Sequence, residues 1–187
     1  MAGWGKHGGT ALPLMHQLLL LRHAKSSWDD AKLADRERPL NGRGRRAAAG
    51  MREAMHRLGL APDLVLVSPA LRTVQTLEAL EPWDETPLIE HVEALYLATP
   101  PQILAVLRDV PETVRSVLLI GHNPGMHEAA RALMADTPPS EMSRRLGEGY
   151  PTGALAEFTI PGPWLRVGPG SGRLIRFLTP RELERSM

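Results

Sequence analysis

The stretch Gln17-Leu18-Leu19-Leu20-Leu21-Arg22-His23 decides the fold of this chain. Its apolar residues follow one another without the polar alternation of a half-exposed strand, so they predict a central β-strand covered on both faces. Arg22 and His23 place two polar side chains at the carboxyl end of that strand. In open α/β sheets, ligands bind at this end of the strands.

Two further apolar runs predict buried strands, Leu64–Val67 and Ser116–Ile120. Each is followed by a turn and a predicted helix, which open at Ser68-Pro69 and at Gly121-His122-Asn123-Pro124. This alternation predicts the α/β class, as a three-layer α/β/α sandwich around a mixed, mostly parallel sheet of about six strands. Weaker strands are expected at 88–89, 155–160 and 173–178, and helices at 41–58, 70–80, 101–107 and 124–135.

The predicted core is preceded by a Gly-rich segment without hydrophobic periodicity, residues 1–14, which we expect to be a disordered lead. Residues 15–187 are expected to form a single domain. Both Met1 and Met15 remain open as the translation start. Residues 136–149 are polar and contain prolines, so a loop with one helical turn is expected there.

Composition excludes several classes of function. The chain has 187 residues, no Cys, 22 Lys+Arg and 21 Asp+Glu, which gives a net charge of +1. The absence of Cys excludes disulfides and a cysteine nucleophile. The balanced charge and the 4% aromatic content argue against nucleic acid as a partner. No apolar run reaches the ~20 residues of a transmembrane helix. We therefore expect a cytoplasmic protein without a membrane partner.

The ends of the three buried strands bring together the residues that carry the chemistry. Arg22, His23, Arg72 and His122 are distant in sequence, but each lies at or just after the end of one of these strands. We expect them to meet at one edge of the sheet. Two arginines, two histidines and helix N-terminal amides form a site that suits a phosphoryl group.

The three motifs Leu21-Arg22-His23-Ala24, Ser68-Pro69-Ala70-Leu71-Arg72 and Gly121-His122-Asn123-Pro124 together resemble the histidine phosphatase superfamily, also called phosphoglycerate-mutase-like. The stretches 22–28 and 35–41 are most similar to its small branch, which contains the phosphohistidine phosphatase SixA. Many members carry Gly where this chain has Ala24. Because of that departure, the resemblance does not determine the geometry of the loop after His23.

The resemblance implies a role for each matching residue. His23 corresponds to the nucleophile, which forms a transient phosphohistidine that water then hydrolyses. Arg22, Arg72 and His122 correspond to the groups that bind the phosphate, and His122 is expected to do so as an imidazolium. The family chemistry needs neither a metal nor a cofactor. The sequence offers no convincing metal-binding cluster.

Three assignments have an alternative that the sequence leaves open. Glu93 is the candidate general acid, with Glu90 as its nearest competitor and a solvated loop carboxylate as the other interpretation. Ser26 is a candidate phosphate-binding hydroxyl, or only part of a turn. Asn123 is a candidate substrate-binding residue, or an N-cap or turn former.

The function that we predict is a metal-independent phosphatase acting through His23, with a protein phosphohistidine as its substrate. The segments 29–41 and 80–100 are short, which favours an open site for a phosphorylated protein. A phosphatase of a small phosphorylated metabolite and a phosphate-binding module without turnover are the alternatives. The oligomeric state is left open.

A basic cluster begins the helix predicted at 41–58. Arg43, Arg45 and Arg46 lie where the helix dipole is positive, an unfavourable place for cations. The mismatch hints at an anionic partner, and a plain solvated face is the alternative.

Overall fold

The strand Met15–Arg22 lies inside a six-stranded sheet, with the strand Ser116–Gly121 on one side and Leu155–Pro161 on the other. The structure is a computed structural model that describes residues 15–134 and 138–185. The predicted disordered lead, 1–14, lies outside these residues. The strands are β1 Met15–Arg22, β2 Leu64–Val67, β3 Leu88–His91, β4 Ser116–Gly121, β5 Leu155–Pro161 and β6 Arg173–Leu178, in the order β3-β2-β4-β1-β5-β6.

The sheet is mixed, as predicted. β1, β2, β3 and β4 pair in parallel, whereas β5 runs antiparallel to both β1 and β6. In register, Arg22 at the end of β1 lies beside Gly121 at the end of β4. The carboxyl ends of β1, β2 and β4 therefore open onto the same edge of the sheet, and the residues that follow each strand are brought together there.

Helices cover both faces of the sheet, which confirms the three-layer α/β/α architecture. The helices are α1 Gly42–Arg57, α2 Leu71–Glu78, α3 Pro100–Arg108, α4 Gly125–Leu133, α5 Glu141–Glu148 and α6 Pro180–Arg185. Buried residues of α3, α4 and α5 share one apolar core, and those of α1, α2 and α6 share the other. Three short 3₁₀ turns, Asp35–Glu37, Glu93–Leu95 and Trp164–Arg166, lie in the connections. That one domain spans 15–187 stays a prediction.

The first turn of α1 is fixed against the segment that follows β1. The side chain of Asn41 caps the helix by accepting a hydrogen bond from the Gly44 amide, 2.8 Å away. A Cβ at Gly44 would lie 2.1 Å from the carbonyl oxygen of Lys25, so only glycine lets the helix approach this closely. Leu58 ends α1, in agreement with the predicted helix.

The expectation of a loop with one helical turn over 136–149 was wrong at its C-terminal part. α5 occupies Glu141–Glu148, and the Ser143 amide donates to Ser140 Oγ in a capping box. Leu146 is its buried residue, and the helix lies in a polar segment that contains prolines, which is why a loop was expected there. α6 was not predicted because only Leu183 is buried along it. In the described part of the chain, no helix is long and apolar enough to cross a membrane.

Candidate active site

A cavity of about 150 Å³ opens at the carboxyl ends of β1, β2 and β4. Four of its lining residues are those predicted to converge, Arg22, His23, Arg72 and His122. The remaining lining residues are Lys25, Ser26, Trp28, Arg38, Leu97, Asn123 and Thr152. A second cavity, of about 320 Å³, lies at the opposite end of α1 and contains none of the predicted site residues.

His23 is oriented by the backbone next to it. Its Nδ1 lies 2.8 Å from the carbonyl oxygen of Ala24, and because a carbonyl only accepts, the ring proton lies on Nδ1. The lone pair is therefore on Nε2. The pKa of His23 is lowered to about 4, mainly by burial and also by the charges of Arg72 and Arg22. The hydrogen bond to Ala24 acts in the opposite direction and raises the pKa. His23 is thus a neutral imidazole near neutral pH, as a nitrogen nucleophile requires.

The loop after β1 is anchored although Ala24 stands where many family members carry glycine. Ala24 is buried, and its amide donates to Thr76 Oγ1 at 3.0 Å. The Thr76 hydroxyl in turn donates to the carbonyl of Arg72. α2 therefore fixes the segment that orients His23.

His122 is held between Ser68 and Arg72. Arg72 Nη2 donates to Nδ1 at 3.3 Å, which puts the proton of the neutral ring on Nε2, 2.7 Å from Ser68 Oγ. Burial and the charge of Arg72 lower the pKa of His122 to about 3. The expected imidazolium is thus not the form found in this structure. Protonation of Nδ1 would require Arg72 to move away.

Arg22 and Asn123 share one acceptor. Arg22 Nη1 and Asn123 Nδ2 both donate to the carbonyl oxygen of Tyr150, at 2.8 Å and 3.0 Å. Arg22 Nε and Asn123 Oδ1 are buried without a hydrogen-bond partner. A buried unpaired donor of a guanidinium, next to His23, is suited to an anionic oxygen.

Asp35 accepts hydrogen bonds from both terminal nitrogens of Arg72. Its carbonyl oxygen lies 2.5 Å from Arg72 Nη1, and its Oδ2 lies 3.0 Å from Nη2. Oδ2 also accepts from the Tyr96 hydroxyl at 2.8 Å, and Oδ1 accepts from Arg38. Although partial burial acts to raise it, hydrogen bonds from Tyr96, Arg38 and Arg72 lower the pKa of Asp35 to about 2. An ionised carboxylate therefore orients Arg72, whose residue surface is only 3% exposed.

Ser26 lies at the cavity, and its hydroxyl is already engaged. Arg38 Nη2 donates to Ser26 Oγ at 2.7 Å, and Arg38 Nε donates to the carbonyl of Ser27. The same guanidinium stacks on the ring of Trp28, 3.2 Å from its centroid. Arg38 therefore connects the wall of the cavity to an aromatic side chain on its rim.

Glu93 is not brought to the cavity. Its carboxylate is paired with the guanidinium of Arg36 through two hydrogen bonds of 2.6 Å and 2.7 Å, and its side chain is 71% exposed. The hydrogen bonds from Arg36 lower the pKa of Glu93, which favours a carboxylate over a proton donor. Glu90 is exposed on β3 and does not line the cavity. The acid role of Glu93 stays a prediction.

Several residues of the site were missed in the sequence. Ser68 and Asp35 belong to stretches that carry the family resemblance, so their position was a usable signal for a role. Arg38 lies in the same stretch as Asp35. Leu97 and Thr152 come from loops without periodicity or a motif, and only the fold brings them to the cavity. Among residues 15–134 and 138–185, no group of three His, Asp or Glu side chains is placed to hold a metal ion.

Comparison with known proteins agrees with this geometry. The family model of the histidine phosphatase superfamily (branch 1) matches residues 18–94. An uncharacterized protein of Mycobacterium tuberculosis, Rv1276c, is 34% identical over 163 residues, which cover 86% of this chain and all of that protein. The chain belongs to the histidine phosphatase superfamily.

Solved structures place it in the SixA-like branch. A candidate phosphohistidine phosphatase SixA from Agrobacterium tumefaciens superposes with a TM-score of 0.75 at 29% identity, covering 91% of this chain and 100% of the other. The protein histidine phosphatase SixA in complex with tungstate gives 0.72 at 27% identity, covering 89% and 99%. The class of the protein is therefore that of a phosphatase, a hydrolase with a phosphoglycerate-mutase-like fold.

Proposed function

We propose that this protein hydrolyses the phosphohistidine of a phosphorylated protein, without a metal ion, through a phosphohistidine intermediate on His23. The observation that carries the mechanism is the state of His23. Its Nδ1 proton is bonded to the Ala24 carbonyl, and its pKa of about 4 leaves Nε2 unprotonated beside Arg22 and Arg72. Nε2 is therefore ready to attack phosphorus at neutral pH.

The reaction proceeds in two displacements. The Nε2 lone pair forms a bond to phosphorus while the bond from phosphorus to the substrate nitrogen breaks, and the leaving imidazole takes up a proton from water. In the second step water attacks phosphorus, the bond to Nε2 breaks, and its electron pair returns to His23. The proton that the attacking water loses passes to the solvent and replaces the one taken up by the leaving imidazole. Because imidazole is a good leaving group, this route does not need Glu93 at the cavity.

Three cationic or polar groups stabilise the charge of the phosphoryl group during both steps. Arg22 offers its unpaired Nε, and Arg72 offers terminal nitrogens that the phosphate takes over from Asp35. His122 offers Nδ1 once it is protonated, and a dianionic phosphate favours that protonation. Such donors act where charge accumulates in the transition state.

The rim of the cavity supports a protein as the substrate. Trp28 and Leu97 line the cavity and are 73% and 54% exposed. Leu97 holds a positive φ of +48°, a strained conformation for a bulky side chain. Exposed apolar side chains beside an open phosphate site contact the surroundings of a phosphorylated residue, as interface anchors do.

The first experiment tests the nucleophile. Wild type, His23→Ala and the control His56→Ala are incubated in chelator with an aryl phosphate and a phosphohistidine peptide. His56 is exposed and pairs with Asp84 far from the cavity. We expect His23→Ala to lose at least a thousandfold in rate, and His56→Ala to match wild type. Turnover that survives in His23→Ala, or that requires a metal, contradicts the mechanism.

The second experiment tests the substrate class. Trp28→Ala combined with Leu97→Ala is compared with Leu165→Ala, an exposed leucine on the Trp164–Arg166 turn. We expect the double variant to lose about tenfold in kcat/KM on a phosphohistidine protein and little on an aryl phosphate. If wild type releases phosphate from metabolites and not from phosphohistidine, the small-molecule alternative is correct. The cytoplasmic location stays a prediction.

A further inference from the structure

The first turn of α1 is a basic surface next to the cavity. Arg43, Arg45 and Arg46, which we call the α1 basic turn, are all exposed, and no acidic residue lies in this turn. In the part of the chain that the structure describes, none of the three takes part in an ion pair. Four adjacent residues thus place three unneutralised cations where the helix dipole is already positive.

This arrangement costs the fold free energy that a different sequence would avoid. Asp or Glu in the first turn stabilises a helix, and Arg there acts in the opposite direction. Some surface arginines elsewhere are paired, as in Arg52 with Glu53 and Arg36 with Glu93, and others among the described residues are single unpaired charges, whereas the α1 basic turn places three arginines within four residues. The unpaired positive charge of the α1 basic turn is consistent with neutralisation by an acidic partner.

The α1 basic turn lies directly behind the wall of the cavity. The Asn41 amide donates to the carbonyl of Lys25 at 3.0 Å, and Gly44 packs against the same carbonyl. Gly44 faces inward, so the neighbouring positions 43, 45 and 46 project to the solvent sides of the helix. The Nη1 atom of Arg46 lies 3.6 Å from the position of a Cβ at Gly42, so this side chain folds back toward the cavity end of the helix.

Lys25 lies between the α1 basic turn and the catalytic cavity, since its backbone contacts the start of α1 and it lines the cavity. It lines the cavity, it is exposed, and in the described ranges it forms no ion pair. On another part of the rim are the apolar Trp28 and Leu97. A partner that covers the cavity therefore meets the apolar Trp28 and Leu97 and the cationic Lys25 at its rim, with the α1 basic turn behind Lys25.

We propose that the α1 basic turn, together with Lys25, binds an acidic surface of the phosphorylated protein next to its phosphohistidine. This inference rests on the proposed function and adds its partner chemistry: acidic residues flanking the phosphorylated histidine. The net charge of +1 hides this surface, because the positive charge is local. Long-range attraction of this kind raises association rates about 10- to 1,000-fold at low salt.

The test compares two chemically phosphorylated peptides that each carry one phosphohistidine. One has glutamates on both sides and the other has glutamines. For wild type at low salt we expect kcat/KM to be about tenfold higher on the acidic peptide, and the ratio to fall toward one at high salt. In the triple variant R43E/R45E/R46E the ratio should be one or less, with the neutral peptide and an aryl phosphate changed by less than about twofold.

The triple variant keeps its fold, since Glu in the first turn is favourable for the helix. The matched control is R57E/R115E/R166E, which makes the same change of charge at exposed arginines at the opposite end of the sheet. This control should keep the wild-type ratio. A loss of the ratio in the control as well, or equal losses on all substrates, would show a net-charge effect and overturn the inference.

The two proposals fail in different ways. If wild type hydrolyses the aryl phosphate but neither peptide, the phosphohistidine substrate is wrong and the docking surface is rejected with it. If wild type hydrolyses both peptides and the triple variant keeps the wild-type preference, the proposed function stands and the docking surface alone is rejected.

Discussion

Asp35 takes both terminal nitrogens of Arg72, one through its backbone carbonyl at 2.5 Å and one through its carboxylate at 3.0 Å. A phosphate that binds Arg72 must therefore compete with Asp35. The carboxylate has two consequences in opposite directions. It orients the buried guanidinium of Arg72, and it repels the phosphate dianion that this guanidinium binds.

Asp35→Asn separates these two effects. Asn keeps a side-chain acceptor for Arg72 and Tyr96 but removes the negative charge. We expect inorganic phosphate to inhibit the variant at a concentration about fivefold lower, which corresponds to about 1 kcal/mol. The inhibition constant is measured with an aryl phosphate substrate. Asp30→Asn, an exposed position on the same loop, serves as the control. Weaker inhibition in Asp35→Asn would mean that orientation outweighs repulsion.

The pKa of His23 can be observed directly. Burial lowers it to about 4, so the ring stays neutral while an ordinary histidine, with a pKa of about 6.5, becomes protonated. In an NMR titration the Cε1 proton of His23, assigned with His23→Gln, should not shift between pH 8 and pH 5.5. A midpoint near 6.5 would contradict a desolvated nucleophile.

The same lowered pKa makes stability depend on pH. Below about pH 6.5 the unfolded chain protonates His23 and the folded chain does not, so the free energy of unfolding falls with pH until about pH 4. Between pH 7 and pH 5 the contribution of His23 is about 2 kcal/mol. Urea titrations at pH 7 and pH 5 give the decrease in the free energy of unfolding between the two pH values. This decrease should be smaller in His23→Gln than in wild type by about the same 2 kcal/mol. Equal losses would contradict the assignment.

Glu93→Gln tests the general acid. Because Glu93 is exposed and bound to Arg36, we expect less than about threefold loss in kcat, and the same loss on alkyl phosphates as on phosphohistidine. An acid that protonates the leaving oxygen would instead give a much larger loss on alkyl phosphates, whose leaving groups are poor. That outcome would show that Glu93 leaves Arg36 and enters the cavity during the reaction.

The close approach of α1 to the loop after His23 predicts opposite effects of one substitution at two glycines. At Gly44 an added Cβ would lie 2.1 Å from the Lys25 carbonyl, whereas at Gly50 of the same helix it meets nothing within 4 Å. Gly44→Ala should destabilise by about 1–3 kcal/mol and lower the rate on an aryl phosphate. Gly50→Ala should stabilise by about 0.5–1 kcal/mol. Thermal unfolding and a rate assay measure both, and a neutral Gly44→Ala would contradict the contact.

The sequence predicted the parts of the fold that depend on strong local patterns. The three buried strands are continuous apolar runs, and Arg22, His23, Arg72 and His122 follow them, so parallel pairing was enough to bring these four to one cavity. α5 and α6 were not predicted as helices, and each buries a single apolar residue, Leu146 and Leu183.

The orientation of the site could not be predicted in the same way. The proton positions on His23 and His122 depend on the Ala24 carbonyl, on Ser68 and on Arg72, which are contacts of the folded chain. The acid role of Glu93 was inferred from its position after α2. Its pairing with Arg36 depends on how the connection after β1 and the connection after β3 lie against each other in the folded chain, which the sequence did not indicate.

The carbonyl of Tyr150 binds donors from two motifs that are a hundred residues apart, Arg22 and Asn123. The side-chain hydroxyl of Tyr150 donates to the carbonyl of Leu20, which fixes the Tyr150 ring against β1. A change in the length of the connection between α5 and β5 would therefore shift two phosphate-binding donors together. New substrate preferences in descendants of this chain are therefore expected to arise away from this connection, in the exposed loop at 29–34 between Trp28 and Asp35.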